Sequence, residues 1–464
     1  MSTNPSVRPR FDRELIRRYN TSGPRYTSYP TALQFDPEFN SSDYRQAVER
    51  SNQDGGPLSL YVHIPFCDTV CFYCACNKIA TKDRSKAEPY LQALDQEMAM
   101  QAELLDGTRV VDQLHFGGGT PTFLSDAQMR WLLGRIGSYF NLKTDDRGEY
   151  SIEIDPREAD AATITTLRDI GFNRLSLGVQ DFNPEVQKAI NRIQSVEQTR
   201  TVVNAARDND FHGISFDLIY GLPGQHWAGF KQTLEQVIEL DPDRLSIFNY
   251  AHLPERFPPQ RRIALDALPS PEEKLDILAN TIEFLLQAGY VLIGMDHFAK
   301  PDDPLAIAQQ NGTLQRNFQG YSTHAQCDMV AFGVSSISQV HDVFSQNFKT
   351  LDDYLAAIGQ QQLPIEKGLR TTKEDALRRA VIHELICHFA LDKRQIERQF
   401  DIVFDQHFAN ALHQLETMAD DALVALEPDR IIVLENGRLL IRNICMAFDA
   451  YLNPQIQKRY SKVI

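Results

Sequence analysis

The sequence predicts an α/β protein built on a parallel sheet, followed by a smaller and mainly helical region. Two observations carry this. From residue 57 to about 290, short apolar β-rich runs alternate with stretches of helical spacing, the pattern of parallel strands joined by right-handed crossovers. After about residue 370 the alternation gives way to helices and then a small hairpin. The predicted strands are LSLYVHI (58–64), DQLHF (112–116), SIEI (151–154), RLSLGV (174–179), ISFDLI (214–219) and RLSIFN (244–249). Between the first two, Pro89 opens a helix whose Leu91, Leu94, Met98 and Leu105 share one face. Another helix begins at Ser270 as N-cap, with Pro271 as its first residue, Glu273 completing a capping box and Gly289 ending the run. Six strands are fewer than a closed eight-stranded barrel requires, so an open doubly wound sheet and a partial barrel both fit the alternation.

In the last region TTKEDALRRAVIHELICHF reads as an amphipathic helix capped by Thr371 or Thr372. Two further helical stretches follow, and then ALVALEPDRIIVLENGRLLIRNI, read as short strands about an Asn-Gly turn at 436–437. That order matches a winged-helix module. The chain therefore divides into an N-terminal extension (1–55), the βα region (56–290), a connecting and substrate-site segment (291–370) and a helical C-terminal domain (371–464).

A net charge of −15 disfavours nucleic acid as a partner, because phosphate neutralisation needs a basic surface. A lid or packing role for the winged-helix region is expected instead. No apolar stretch approaches the about 20 residues of a membrane helix. The start, MSTNPSVRPRFDRELIRRYN, has no apolar signal core. A cytoplasmic location without membrane insertion is expected.

Four of seven cysteines fall in CDTVCFYCAC (67–76), spaced Cys-x3-Cys-x2-Cys-x-Cys. In a reducing compartment such a cluster points to metal or redox chemistry rather than disulfides. Structural zinc usually takes two separated Cys-x2-Cys pairs, and no second pair exists here. Cys67, Cys71 and Cys74 as ligands of a [4Fe–4S] cluster would leave one iron open to a small chelator. Spacing leaves that reading open beside zinc and a redox dithiol. Cys327, Cys387 and Cys445 read as small buried hydrophobes.

With Tyr73 before the third cysteine, the loop resembles the signature of radical S-adenosylmethionine enzymes, whose fold is a partial (β/α)6, TIM-like barrel. More closely, the chain resembles the oxygen-independent coproporphyrinogen III oxidases (coproporphyrinogen dehydrogenases). Ten segments in matching order carry this: GPRYTSYP, YVHIPFC, HFGGGTPT, EIDPRE, SLGVQDF, DLIYGLPGQ, NYAHLP, GMDHFA, NFQGYST and GRLLIRNIC. Ala75 departs from the glycine that the family usually has between its last two cysteines.

The resemblance implies one [4Fe–4S] cluster on Cys67, Cys71 and Cys74, and two S-adenosylmethionine molecules. Tyr61, Tyr73, Gly118, Glu153 and Ile337 match positions holding the first, while Gly119, Thr120, Gln180, Arg192, Asp217 and Ala251 match those holding the second. It further implies a monomer that converts two propionates of coproporphyrinogen III to vinyl groups, with an unidentified electron donor and acceptor. Arg25, Arg261, Arg262 and Lys300 are candidate cations for the substrate's carboxylates. RYTSYP, GMDHFA, NFQGYST and the C-terminal helices are expected to close the barrel mouth. The alternative is a haem-binding chaperone of the same superfamily. Such relatives generally lack the fourth cysteine and the RYTSYP extension, both present here.

Overall fold

The computed structural model describes residues 8–324 and 326–462. The first seven residues, part of the polar start read above, lie outside it. Its contacts group into two compact units. One comprises residues 35–274 and 326–370, the other 1–34, 275–325 and 371–464, so the units run across the four segments inferred from sequence.

The first unit is built on six parallel strands: β1 (Leu58–Ile64), β2 (Val110–Gly118), β3 (Glu149–Ile154), β4 (Arg174–Gln180), β5 (Gly213–Tyr220) and β6 (Arg244–Asn249). They lie side by side in chain order. A doubly wound sheet reverses its order at a switch point; none occurs among these six, so the partial barrel is the correct alternative. The crossover helices are Ala87–Ala102, Asp126–Tyr139, Ala161–Asp169, Val196–Asp208 and Trp227–Leu240. Each strand alternates with period two. Leu60, Val62, Leu114, Phe116, Ile152, Leu175, Leu177, Phe216, Leu218 and Ile247 lie on one face of the sheet and are buried. Tyr61, His115, Ser151, Glu153, Ser176, Asp217 and Ser246 lie on the other, which is the lumen face.

Sequence reading stopped the sheet at β6. Four more strands follow on the far side of β1: β7 (Asp328–Phe332), parallel to it, then β8 (Ile337–Val340), β9 (Val343–Asn347) and β10 (Ile365–Arg370), all antiparallel. A buried carboxylate pins the turn between β7 and β8. Glu97 accepts from Gly333 N (2.7 Å), Asn347 Nδ2 (2.7 Å) and the Tyr354 hydroxyl (2.6 Å). Burial pushes Glu97 up to about 7 against these three donors.

The helix Pro271–Gln287, which begins at the end of the first unit and continues into the second, starts as predicted, with Ser270 and Glu273 bonded reciprocally. In the second unit the other elements follow. Thr372 caps the helix Lys373–His388. A strand (Ala390–Asp392), helices (Lys393–Phe400 and Ala409–Asp420) and a hairpin (Val424–Leu426 with Arg430–Val433) follow, in winged-helix order. The Asn-Gly turn is a correction. The hairpin turns at 427–429, where Glu427 N bonds Arg430 O. Asn436 and Gly437 lie in a 3-10 helix that leads into the helix Ile441–Met446. Leu440, Ile441, Ile444 and Cys445 are buried at helical spacing, which outweighs the turn signal.

Two distant motifs explain each other within this unit. Arg442, from GRLLIRNIC, is 3% exposed and donates to the carbonyls of Gly23 and Pro24, ahead of RYTSYP, and of Lys462. Tyr26 and Tyr29 join the hydrophobic core formed with Val381, Leu385 and Phe448. Arg442→Ala strands several carbonyls and should cost about 3 kcal/mol. Limited trypsin digestion should then cut near Arg17, Arg18 and Arg25 faster than in the unaltered protein.

Candidate functional site

The lumen is polar in layers. At its base Ser59 Oγ bonds Gln113 Oε1 (2.9 Å), Gln113 Nε2 bonds Glu149 (2.8 Å), and Glu149 pairs with Arg174 (3.4 Å). These bonds satisfy groups that an apolar barrel core would not contain. Above them Tyr61 stacks on His115, ring centroids 5.8 Å apart, and His115 Nδ1 meets Ser151 Oγ at 2.6 Å. The next layer holds two carboxylates. Glu153 accepts from Gly118 N (3.1 Å) and faces His115 Nε2 (3.5 Å). Asp217 lies beside the Ser246 and Ser176 hydroxyls.

The two acids are driven apart electrostatically. Burial alone would raise Glu153, yet His115, the Gly118 amide and His63 hold it below the ordinary carboxylate range. For Asp217 burial comes first and the charge of Glu153 second, and together they push it up to about 7. At neutral pH the pair thus carries one firm negative charge and one carboxyl poised to exchange a proton.

The cysteine loop leaves the end of β1 and is tethered by its backbone. Thr81 N bonds Cys67 O (2.9 Å), Phe72 N bonds Ile190 O (2.9 Å), and Asn191 Nδ2 bonds Val70 O (2.8 Å). Gln260, 1% exposed, bridges two predicted residues by donating Nε2 to Tyr73 O (3.0 Å) and Ala251 O (3.3 Å). None of the seven cysteines is disulfide-bonded. Cys67 and Cys71 are buried, Cys74 is half-buried and Cys76 exposed. Cys76 lies beside Cys74. Cys387 and Cys445 are buried as expected, whereas Cys327 is partly exposed.

Around the loop stand other predicted residues. Thr120 Oγ1 reaches Cys67 Sγ at 3.6 Å. Arg192 Nη1 lies 3.6 Å from Cys71 Sγ and 2.8 Å from Asp155 Oδ2, while Nη2 holds Gly178 O. Gln180 has a left-handed backbone (φ 64°) at a register shift between β4 and β5. Its Oε1 and Arg192 Nε are buried without partners. Ile337 opens β8, directly after the turn that Glu97 pins. The glycine run is crowded by its own chain. A Cβ on Gly117 would meet Glu153 at 2.8 Å, one on Gly118 the His63 ring, and one on Gly119 the Phe66 carbonyl at 2.6 Å. At Gly119 the obstacle is backbone that cannot yield, whereas at Gly117 it is only the ends of side chains. Gly118, at φ 111°, also needs its backbone freedom.

Of the candidate carboxylate binders, Arg25 pairs with Asp296. Arg261 donates to Pro254 O, and Arg262 lies over the Phe72 ring. Sequence reading missed Asp155, Arg157, His63, His115 and Gln260. Four of these stand inside quoted motifs; Gln260 gave no signal.

Comparison with known proteins accounts for this arrangement. Residues 61–237 match the Radical SAM superfamily model, and residues 371–440 the HemN C-terminal domain. The oxygen-independent coproporphyrinogen III oxidase of Pseudomonas aeruginosa is 55% identical over 98% of this chain and 99% of its own. That of Escherichia coli K12 is 50% identical over 98% of each chain. The solved coproporphyrinogen III oxidase (HemN) of Escherichia coli, described as a radical SAM enzyme, superposes with a TM-score of 0.92 at 49% identity, covering 96% of this chain and all of that one. The chain belongs to the oxygen-independent coproporphyrinogen III oxidases.

Membership in this radical SAM family implies a [4Fe–4S] cluster and S-adenosylmethionine. The residues fit such groups. Four cysteines share one tethered loop, hydroxyl and guanidinium donors face two of their sulfurs, and buried Gln180 and Arg192 atoms await partners. Among the described residues no helix is long and apolar enough to cross a membrane.

The Asp217 shift makes a sign prediction. A carboxyl raised in the fold contributes stability that is fully present below its unfolded value, near 3.8, and is lost as pH rises through about 7. Asp217→Asn should therefore melt higher than the unaltered protein at pH 8, with the difference vanishing near pH 4, as read by thermal denaturation of both at each pH.

Proposed function

We propose that this protein performs the anaerobic oxidative decarboxylation of two propionate side chains of coproporphyrinogen III, giving protoporphyrinogen IX in haem biosynthesis. The near full-length identity to named members of the family carries this reading. Each propionate loses a β-hydrogen, CO2 and one electron to become a vinyl group. When bound, the cluster and S-adenosylmethionine supply the radical hydrogen abstraction that this conversion requires.

The chain's residues do the holding. In this reading Cys67, Cys71 and Cys74 ligate three irons and leave the fourth to S-adenosylmethionine, while Cys76 ligates none. Tyr61, Tyr73, Gly118, Glu153 and Ile337 hold the first nucleotide. The ionised Glu153 accepts hydroxyl hydrogen bonds, and Tyr61 is kept in place by its stack on His115. Gly119, Thr120, Gln180, Arg192, Asp217 and Ala251 hold the second. The unpaired Gln180 Oε1 and Arg192 Nε support a ligand there, since buried polar atoms rarely go without partners. Arg192 already has Asp155 as counter-ion, so the methionine carboxylate of S-adenosylmethionine would share it. The protein works as a monomer with a separate electron donor and acceptor.

Anaerobic incubation of the iron-loaded protein with coproporphyrinogen III, S-adenosylmethionine and a low-potential reductant should yield protoporphyrinogen IX. Stoichiometric haem binding without conversion would instead favour a chaperone. In the same preparations Cys71→Ser should lose most of its iron and Cys76→Ser should keep it, as measured by iron and sulfide analysis.

A further inference from the structure

The three proposed ligand cysteines are not equivalent. Cys67 Sγ faces one neutral hydroxyl, from Thr120 at 3.6 Å. Cys71 Sγ faces two guanidinium groups, Arg192 Nη1 at 3.6 Å and Arg157 Nη2 at 3.7 Å. Both arginines are anchored on one carboxylate. Asp155 Oδ2 accepts from Arg192 Nη1 (2.8 Å) and Arg157 Nη2 (2.6 Å), and Asp155 Oδ1 from Arg157 Nε (3.0 Å). The three side chains are 7%, 14% and 8% exposed for Arg192, Arg157 and Asp155. Two cations and one anion leave a formal charge of +1 against the Cys71 sulfur, where water screens little. Asp155 and Arg157 follow β3 directly, and the 3-10 turn Pro156–Glu158 aims Arg157 back at the loop.

We propose that Asp155 and Arg157 are positioning residues that set the reduction potential of the group bound through Cys71. This rests on the reading of Cys67, Cys71 and Cys74 as cluster ligands. Reduction adds one negative charge to a cluster held by thiolates. Nearby positive charge and N–H···S contacts favour the reduced state, and net charge and hydrogen bonds to sulfur are the levers a protein has on this potential. Arg157 supplies the charge, Asp155 fixes where it points and moderates it.

Because the two residues carry opposite charge, their removal has opposite effects. In Arg157→Gln, held at a fixed solution potential, the ratio of reduced to oxidised cluster should fall at least tenfold, about 59 mV for a one-electron couple. In Asp155→Asn the ratio should rise. A structural disturbance alone would not give shifts of opposite sign. Arg157→Lys, which keeps the charge, should stay within about threefold of the unaltered protein.

The test is anaerobic redox titration of the iron-loaded proteins without substrate, read by electron paramagnetic resonance. Iron and sulfide content of the unaltered protein is measured first. Absence of a cluster there sinks the ligand reading, separately from the tuning. With clusters present, unchanged potentials in Arg157→Gln and Asp155→Asn, or shifts of the same sign, overturn the proposal. Should Arg157→Gln fail to hold iron, Asp155→Asn and Arg157→Lys decide by the same criteria. Loss of iron from all three variants would make the role structural and overturn it as well.

Discussion

A cysteine loop that is to offer thiolates to a metal group cannot use those thiols to hold itself in place. The stretch 67–76 meets this constraint by anchoring its backbone instead. Carbonyls and amides of Cys67, Val70, Phe72 and Tyr73 are bound by Thr81, Asn191, Ile190 and Gln260, from three different parts of the barrel unit. The sulfurs stay free of disulfides and meet donors whose length suits a sulfur acceptor. Gln260 extends the tether to Ala251, so the position of the loop and the end of β6 are set by one buried amide.

The same economy shapes the lumen. A closed eight-stranded barrel fills its interior with branched apolar side chains. Here the inward positions of six strands carry Tyr61, His115, Glu153, Ser176, Asp217 and Ser246, while the outward positions bury leucine, isoleucine and phenylalanine. A polar interior is stable only where its groups find partners, and the base layer from Ser59 to Arg174 provides them. Higher up the partners thin out. Glu153 and Asp217 repel each other, and atoms of Gln180 and Arg192 have none. Gln180 ends β4 and Arg192 reaches back to Gly178 in the same strand, so these two stand at the carboxyl end of a strand, where α/β folds place their ligands.

Much of this was legible in the sequence. All six barrel strands show period-two alternation, and the Ser270 and Thr372 capping signals mark helix starts correctly. Strands β7 to β10 escaped because they are short, and β7, which ties the other three to the sheet, pairs with a strand over 250 residues away, Tyr61 opposite Ala331. The Asn-Gly pair misled because a local turn preference was read without the helical burial that follows it. Nothing in the sequence says which neighbours lie against Gly117–Gly119: His63, Phe66 and Glu153 do. Arg192 could be singled out by resemblance, yet its pairing with Asp155 is a tertiary fact. Asp155 and Arg157 stand two residues apart in a quoted motif, and nothing local says that both turn toward Cys71.

In the proposed reading the polypeptide leaves one iron of the cluster open. Electron paramagnetic resonance of the reduced, fully loaded protein, recorded before and after S-adenosylmethionine is added, tests it most directly. Binding at an open iron predicts a change in the signal's g values on addition. A spectrum that stays the same, in protein shown separately to bind the nucleotide, would mean that the chain already caps every iron.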